Sequence, residues 1–554
     1  MRDHRTSRFH RRDLIARAAA IGLVLPGLAQ GPAGVRRAAA APARVLAADP
    51  TTLTIALNGS PSDLDPHSAY DYRSAFPLRG PYEQLVALKG SSTTEMEGKI
   101  AESWSANADK SVWTFKIRPG VVFQDGTPCD AEAVRASFER FVTMGLGPAA
   151  AMARFIQDAK QITAPDPNTL VMDCGRPQPL LIDYLTSQYG PLVINTKAVL
   201  AQDQDGDQGH TWAMTNAKGL GTGPYEIVEF LPEERVVLKR HEAFWGGWEG
   251  SHFQQVVIRV VPEDGTRRQL VESGEVDVVD NLTPEALAAL EQNPDIHVDR
   301  SFSAEVDYMM MTVHGPLETP EARQALCWSF PYDDVVQGVY KGYAKPAKGG
   351  VAELLNGFNP KTPTYTTDLD KAKALLAKAG VAEGTTIGLT QESGDENVKS
   401  AVQLWQANLA KIGVTLDVTT VDLTTFTSIV FGDAPVEERP LVMPWFWWPD
   451  FNDALNHLWA QISCDAWGSK GTNGGFYCNK EVEQLMTDAF ATADPATYRD
   501  KLDRVQTIIS AEDPPAVYYM QRQWTTILRH DVQGFVFNPI NIGTLDFWRL
   551  SRAG

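Results

Sequence analysis

From Thr52 onward the chain alternates between two hydrophobic periods, and the alternation predicts short strands interleaved with helices. Residues 53–57, Leu-Thr-Ile-Ala-Leu, read as an opening strand, and residues 113–118, Trp-Thr-Phe-Lys-Ile-Arg, alternate apolar and polar as a half-buried strand does. Asp130 is placed to cap a helix whose Ala131, Val134, Phe138 and Phe141 share one face. Residues 225–230 and 236–240 read as a hairpin around Leu231-Pro-Glu-Glu-Arg235. Further on, Ala372, Leu375, Leu376 and Ala379 mark a helix over 368–379 stopped by Gly380. Val402, Trp405, Leu409 and Ile412 mark another, closed by Gly413 before a strand over 414–418. The class is mixed α/β.

One segment breaks both periods. Residues 444–453 run Pro-Trp-Phe-Trp-Trp-Pro-Asp-Phe-Asn-Asp, and consecutive aromatics at 445–448 cannot all face one side of a strand or helix. Pro444 and Pro449 predict a short strand running into an irregular loop that carries Asp450 and Asp453. Two readings stand side by side. Flat aromatic walls with a placed charge are small-ligand pocket material. A buried strand between two layers, with an aspartate capping a helix that begins near Asn452 or Asp453, accounts for the same residues.

At 554 residues the chain is too long for one core and is expected to divide into two or three lobes. Its formal charge of −19 becomes more negative once residues 1–47, with nine arginines against Asp3 and Asp13, are set aside. Such acidity repels phosphate backbones and anionic lipid, which argues against nucleic-acid and membrane-surface partners. Residues 1–47 themselves resemble an export signal. Arg11-Arg12-Asp13-Leu14-Ile15 is similar to a twin-arginine motif, the apolar stretch 18–29 is too short and broken to span a bilayer, and cleavage is expected after Ala47. No cysteine precedes Cys129, so no lipid anchor is expected and the protein is read as periplasmic. Cys464 and Cys478 flank a polar, Gly-rich loop, and an oxidising compartment favours a disulfide there, worth about 3 kcal/mol for a loop of about 15 residues. Zinc is the rival reading, without a CxxC or HExxH to support it. Cys129, Cys174 and Cys327 read as small buried side chains.

An ordered series of blocks carries a family resemblance. Ile100-Ala-Glu-Ser-Trp-Ser105 is followed by residues 113–128, ending Phe-Gln-Asp-Gly-Thr-Pro. Then come Gly221-Thr-Gly-Pro-Tyr225, Phe244-Trp-Gly-Gly, Ser273-Gly-Glu-Val-Asp277, Glu321-Ala-Arg-Gln-Ala-Leu326 and Asp531-Val-Gln-Gly-Phe535. The series resembles the extracytoplasmic solute-binding proteins of family 5, which serve oligopeptide, dipeptide and nickel ABC importers, from about residue 52 to the end. Each block also has a plain structural reading: Gly221-Thr-Gly-Pro224 is a turn before a strand, not a phosphate loop.

The resemblance implies a two-lobed periplasmic binding fold of type II, enlarged by an extra domain. Lobe one is expected over 48–89, 196–302 and 524–554, the extra domain over 90–195, and lobe two over 303–523, with the ligand in the cleft and hinged closure around it. Residues 450–456 resemble the family segment whose first aspartate pairs with the α-ammonium of a bound peptide, although Ala454 stands where proline is usual. That makes Asp450 the expected ammonium anchor, and burying an ammonium without a counter-charge costs several kcal/mol, so such a cleft needs one. A structural aspartate and a sugar-hydroxyl contact are the other readings of Asp450. Trp445, Trp447 and Trp448 are expected as aromatic walls for side chains or sugar rings, with Tyr70 and Tyr72 on the opposing wall or packed within their own loop. Lys399 sits where some dipeptide binders place a carboxylate partner.

The function implied is capture of a short peptide and delivery to the permease and ATPase subunits of an ABC importer by a monomeric carrier that needs no cofactor. An oligosaccharide, an opine-like amine or a nickel chelate is the alternative cargo. Scattered histidines give no metal-ligand spacing. No GxSxG, HExxH or dinucleotide fingerprint supports an enzyme, a secreted hydrolase being the reading from that class.

Overall fold

The computed structural model describes residues 49–468 and 471–553. The expected export signal and its cleavage site lie outside the described residues. The period-2 segments form strands as expected. Thr52–Leu57 opens the fold, Val112–Ile117 sits in an antiparallel sheet, and the hairpin pairs Tyr225–Leu231 with Arg235–Arg240. Helix boundaries follow cap chemistry. Asp130 accepts from the Ala133 N–H at the start of Ala131–Met144, and Gly145, at φ 61°, ends that helix in the left-handed conformation that glycine tolerates. Asp368 caps Leu369–Lys378 in the same way.

Two sheets dominate, and they share one strand. Thr52–Leu57 lies between Gln255–Val260 and Val278–Asp280, both parallel to it, with the hairpin continuing the outer edge. The second sheet runs Thr415–Val421, Thr386–Glu392, Val442–Trp447, Val306–Met311. The long strand Ala516–Arg529 joins both. Its residues up to Arg522 pair with Val306–Met311 and Ala344–Pro346, and from Gln523 onward it pairs with Ile296–Phe302 and Val278–Asp280. A separate four-stranded sheet, Ala101–Ala106, Val112–Ile117, Thr169–Asp173 and Ile162–Asp166, packs under Ala131–Met144 with its own apolar core.

Where the long strand changes partners, Arg522 is held by two buried carboxylates. It pairs with both oxygens of Asp307 and with Glu305 at 2.9 Å. Burial pushes the Glu305 carboxyl upward despite that arginine. Cys464 and Cys478 are joined by a disulfide with Cα atoms 4.7 Å apart, while Cys129, Cys174 and Cys327 are free and buried. Among the described residues no group of His, Cys, Asp and Glu is arranged to hold a metal ion, and no helix is long and apolar enough to cross a membrane.

Candidate functional site

The aromatic run resolves into both of its readings at once. Val442–Trp447 pairs antiparallel with Val306–Met311, with Trp445 opposite Tyr308 and Trp447 opposite Val306. All four aromatics of residues 445–448 are half-buried, and Phe446 stacks on Trp445 at 5.6 Å. Trp445 packs against Phe426 and Phe431 at ring separations of 5.8 and 5.5 Å, and it and Trp447 are both half-buried beside the same core cluster. Phe446 and Trp448 stack on each other at 5.3 Å.

Beyond Pro449 the chain leaves the sheet and Asp453 starts the next helix, Ala454–Ile462. Its carboxylate accepts from the Leu455 N–H at 2.8 Å, the Asn356 amide at 2.9 Å and the Tyr498 hydroxyl. Ala454, where proline would offer no donor, gives its N–H to the Asn356 carbonyl at 2.8 Å. The helix fixes the loop from below. His457 bonds the Trp447 carbonyl at 2.9 Å, and Asn456 clamps Asp450 from both sides, accepting from its N–H at 2.7 Å and donating to its Oδ2 at 2.9 Å.

Asp450 is 4 % exposed. Its Oδ2 also accepts from the Tyr70 hydroxyl at 3.1 Å, while Oδ1 has no hydrogen-bond partner among the described residues. No lysine, arginine or histidine among them pairs with it either. Burial without a cation pushes the carboxyl up to about 6, and the hydrogen bonds from Asn456 and Tyr70 recover only part of the cost. The group can do one thing well: accept a donated proton or a positive charge at Oδ1.

Tyr70 comes from the early loop and sets the rest of the wall. Its ring meets Tyr189 edge-on at 5.2 Å and Trp447 at 6.4 Å, and Trp448 donates its indole N–H to the Tyr189 hydroxyl at 3.3 Å. The loop is anchored by Asp65, whose carboxylate takes both terminal nitrogens of Arg140, at 2.9 and 2.6 Å, and His210 at 3.1 Å.

Asp450, Trp447, Trp448 and Tyr70 are thus brought together. Tyr72 opens the helix that follows, Tyr72–Leu78, bonded to Asn58 and edge-on to Trp524 at 5.6 Å, with no contact to Asp450. Lys399 stands on the exposed side of helix Glu396–Lys411, paired with Glu396 at 3.1 Å, and no contact links it to this group. Two participants are hard to read from the sequence: Tyr189 and Asn456. Asn456 alone leaves a trace, since a short polar side chain in the first turn after a capped loop is placed to bond back to that loop.

The chain matches the model of the bacterial extracellular solute-binding proteins, family 5 middle region, over residues 95–469. It is 30 % identical over 503 residues to the probable D,D-dipeptide-binding periplasmic protein of Escherichia coli K12, covering 89 % of this chain and 94 % of that one. It is 26 % identical over 526 residues to the dipeptide-binding protein of the same organism, covering 88 % and 92 %. The fold is similar to that of the Helicobacter pylori ABC transporter-associated periplasmic binding protein in complex with the peptide STSA. That likeness has a TM-score of 0.79 and 23 % identity, and covers 90 % of this chain and 98 % of that one. The architecture is therefore that of the two-lobed, family 5 type of periplasmic binding protein.

Proposed function

The chain belongs to the bacterial extracellular solute-binding proteins of family 5, and from that premise we propose that it carries short peptides with a free amino terminus to the permease of an ABC importer. In this reading Asp450 receives the α-ammonium at Oδ1, and Tyr70, Trp447 and Trp448 shape the space around the first residues of the peptide. Lobe one comprises 48–89, 196–302 and 524–554, lobe two 303–523, and 90–195 is the added domain, with the peptide held between the lobes in the periplasm. The names of the curated relatives, which are dipeptide-binding and periplasmic, support this cargo and this compartment.

One observation carries the reading. A carboxylate at 4 % exposure keeps one oxygen without a partner and has no cation beside it. A buried unpaired charge is costly, and an arriving ammonium removes that cost. A sugar hydroxyl would bond Oδ1 but leave the charge in place.

The test is a pooled library of di- to pentapeptides with free termini, read by native mass spectrometry and thermal shift. A peptide at 100-fold excess over its Kd is expected to add about 2.7 kcal/mol of stability. Amino-acetylated versions are expected not to bind. Equal binding of free and acetylated pools overturns the Asp450 assignment, and binding of sugars or metal chelates with no peptide retained overturns the cargo.

A further inference from the structure

Asp450 is followed in sequence by a phenylalanine, and a large apolar side chain in a polar loop needs a buried seat. Phe451 has one, but not in the core that serves its flanking elements. Val442–Trp447 and Ala454–Ile462 send Met443, Ala454, Leu455, Leu458 and Ile462 into one apolar cluster. Phe451 is buried in another, the core of the four-stranded sheet, whose other buried members all lie between Leu85 and Val193. Its ring meets Phe155 at 6.2 Å and Tyr184 at 6.0 Å, edge-on to both. One residue beyond Asp450, the chain is plugged into a separate unit.

Two further ties surround the plug. Asn452 donates to the Thr93 carbonyl at 2.7 Å and accepts from the Asn356 N–H at 3.0 Å, so it stitches the loop to segments on both sides. The Arg154 guanidinium lies over the Trp459 ring, 3.3 Å from its centroid, and Trp459 stands on the helix whose Asn456 clamps Asp450. The side-chain hydrogen bonds of Asp450 itself, from Tyr70 and Asn456, both fall on Oδ2. Where the free Oδ1 sits therefore depends on the backbone of the loop, and Phe451 pins that backbone at the next residue.

We propose that Phe451 is a positioning residue for the ligand: seated in the core of the four-stranded unit, it sets where Asp450 presents its free oxygen and makes that unit part of the binding machinery. The inference rests on the reading of Asp450 as the ammonium anchor and deepens it. A ligand that grips Asp450 meets a loop already committed to a neighbouring core, so little ordering is left to be done on binding. The rival is that Phe451 only completes the apolar core, with Asp450 held by Asn456 and Tyr70 alone. In that case losing the ring costs stability and leaves the site as it was.

The experiment compares the unmutated protein with F451A, F451L and R154M. It reads binding and release of the pool of di- to pentapeptides with free termini, and the ligand-free thermal midpoint of each variant as a folding control. F451A is expected to weaken binding about tenfold or more, mostly through faster release, at a temperature where it is fully folded. F451L refills the socket and is expected to restore most of the affinity, and R154M to lose about threefold. A ligand-free reading accompanies these. The pH slope of stability that Asp450→Asn removes from the unmutated protein is expected to be lost in F451A, so that adding Asp450→Asn to F451A changes nothing, because a released Asp450 regains water. If F451A is less stable yet binds as tightly and keeps that slope, Phe451 is packing alone and the proposal is overturned. If F451A does not fold, R154M decides by the same readouts, and an unchanged affinity and slope overturn the proposal. If no peptide binds the unmutated protein, the peptide reading fails by itself, and the ligand-free slope decides the positioning role.

Discussion

Asp65 and Asp450 are both buried aspartates, and their surroundings are opposites. Asp65 is sealed by Arg140 on both oxygens and by His210, and although burial works to raise its pKa, those partners hold the carboxyl well below the usual range. Asp450 receives only neutral donors, on one oxygen, and burial pushes it up to about 6. The first carboxylate is finished within the chain and locks the loop that presents Tyr70. The second is left incomplete, and its missing partner has to come from outside. Burial alone does not separate these two aspartates; Asp65 has its counter-charge within the chain, whereas Asp450 has none and keeps an oxygen without a partner.

This contrast can be broken at either end. Replacing Asp65 with asparagine strands the Arg140 charge in the interior, and a loss of about 3–5 kcal/mol of stability is expected in denaturant unfolding. Destabilisation below about 1 kcal/mol would mean that the pair is not the lock described.

Asp450→Asn should do the reverse. Peptide affinity is expected to fall by a hundredfold or more, about 2.7 kcal/mol, in titration calorimetry, while the ligand-free protein becomes more stable at pH 8 by up to roughly 3 kcal/mol. The sign follows from the raised pKa. The folded state holds the Asp450 proton more tightly than the unfolded state does, so ligand-free stability drops as pH rises from about 4 to about 6 and is flat above. The asparagine variant should lack that slope. Loss of binding together with loss of stability would point to a structural aspartate instead.

Binding itself should depend on pH in the opposite direction. An ammonium needs the carboxylate form, so affinity is expected to weaken about tenfold for each pH unit below about 6 and to hold steady from there to neutrality. A flat profile from pH 4.5 to 7 would remove Asp450 from the anchor. The smallest effect expected is that of Tyr70→Phe. Removing one donor from a carboxylate at a residue that keeps 39 % of its surface exposed should cost about 1 kcal/mol of affinity and move the pH midpoint upward.

What the sequence reveals follows the range of the interaction. The strand over 112–117, the cap at Asp130, the hairpin after Tyr225 and the helix begun by Asp453 are written in neighbouring residues, and each forms where its local pattern predicts. The aromatic run is ambiguous locally because its division is made by a partner strand. Pairing with Val306–Met311 is what sets the run over its neighbours, with Trp445 opposite Tyr308 and Trp447 opposite Val306. Tyr70 meets Asp450 across 380 positions. Lys399, expected as a carboxylate partner, is paired one turn back with Glu396 on its own helix.

The strand Ala516–Arg529 has a mechanical consequence for a protein of this architecture. It is hydrogen-bonded on both sides of the place where it passes from one sheet to the other, and the parallel crossing at residues 303–305 contains no glycine or proline. Any change in the angle between the sheets must be absorbed by a few torsions at Gln523 and in that short crossing, working against continuous pairing above and below. Such a joint behaves as a spring with a preferred angle rather than as a loose pivot. Were the two sheets to turn toward each other on binding, part of the binding energy would go into bending these two strands, and the same two strands would then set both the tightness of grip and the speed of release.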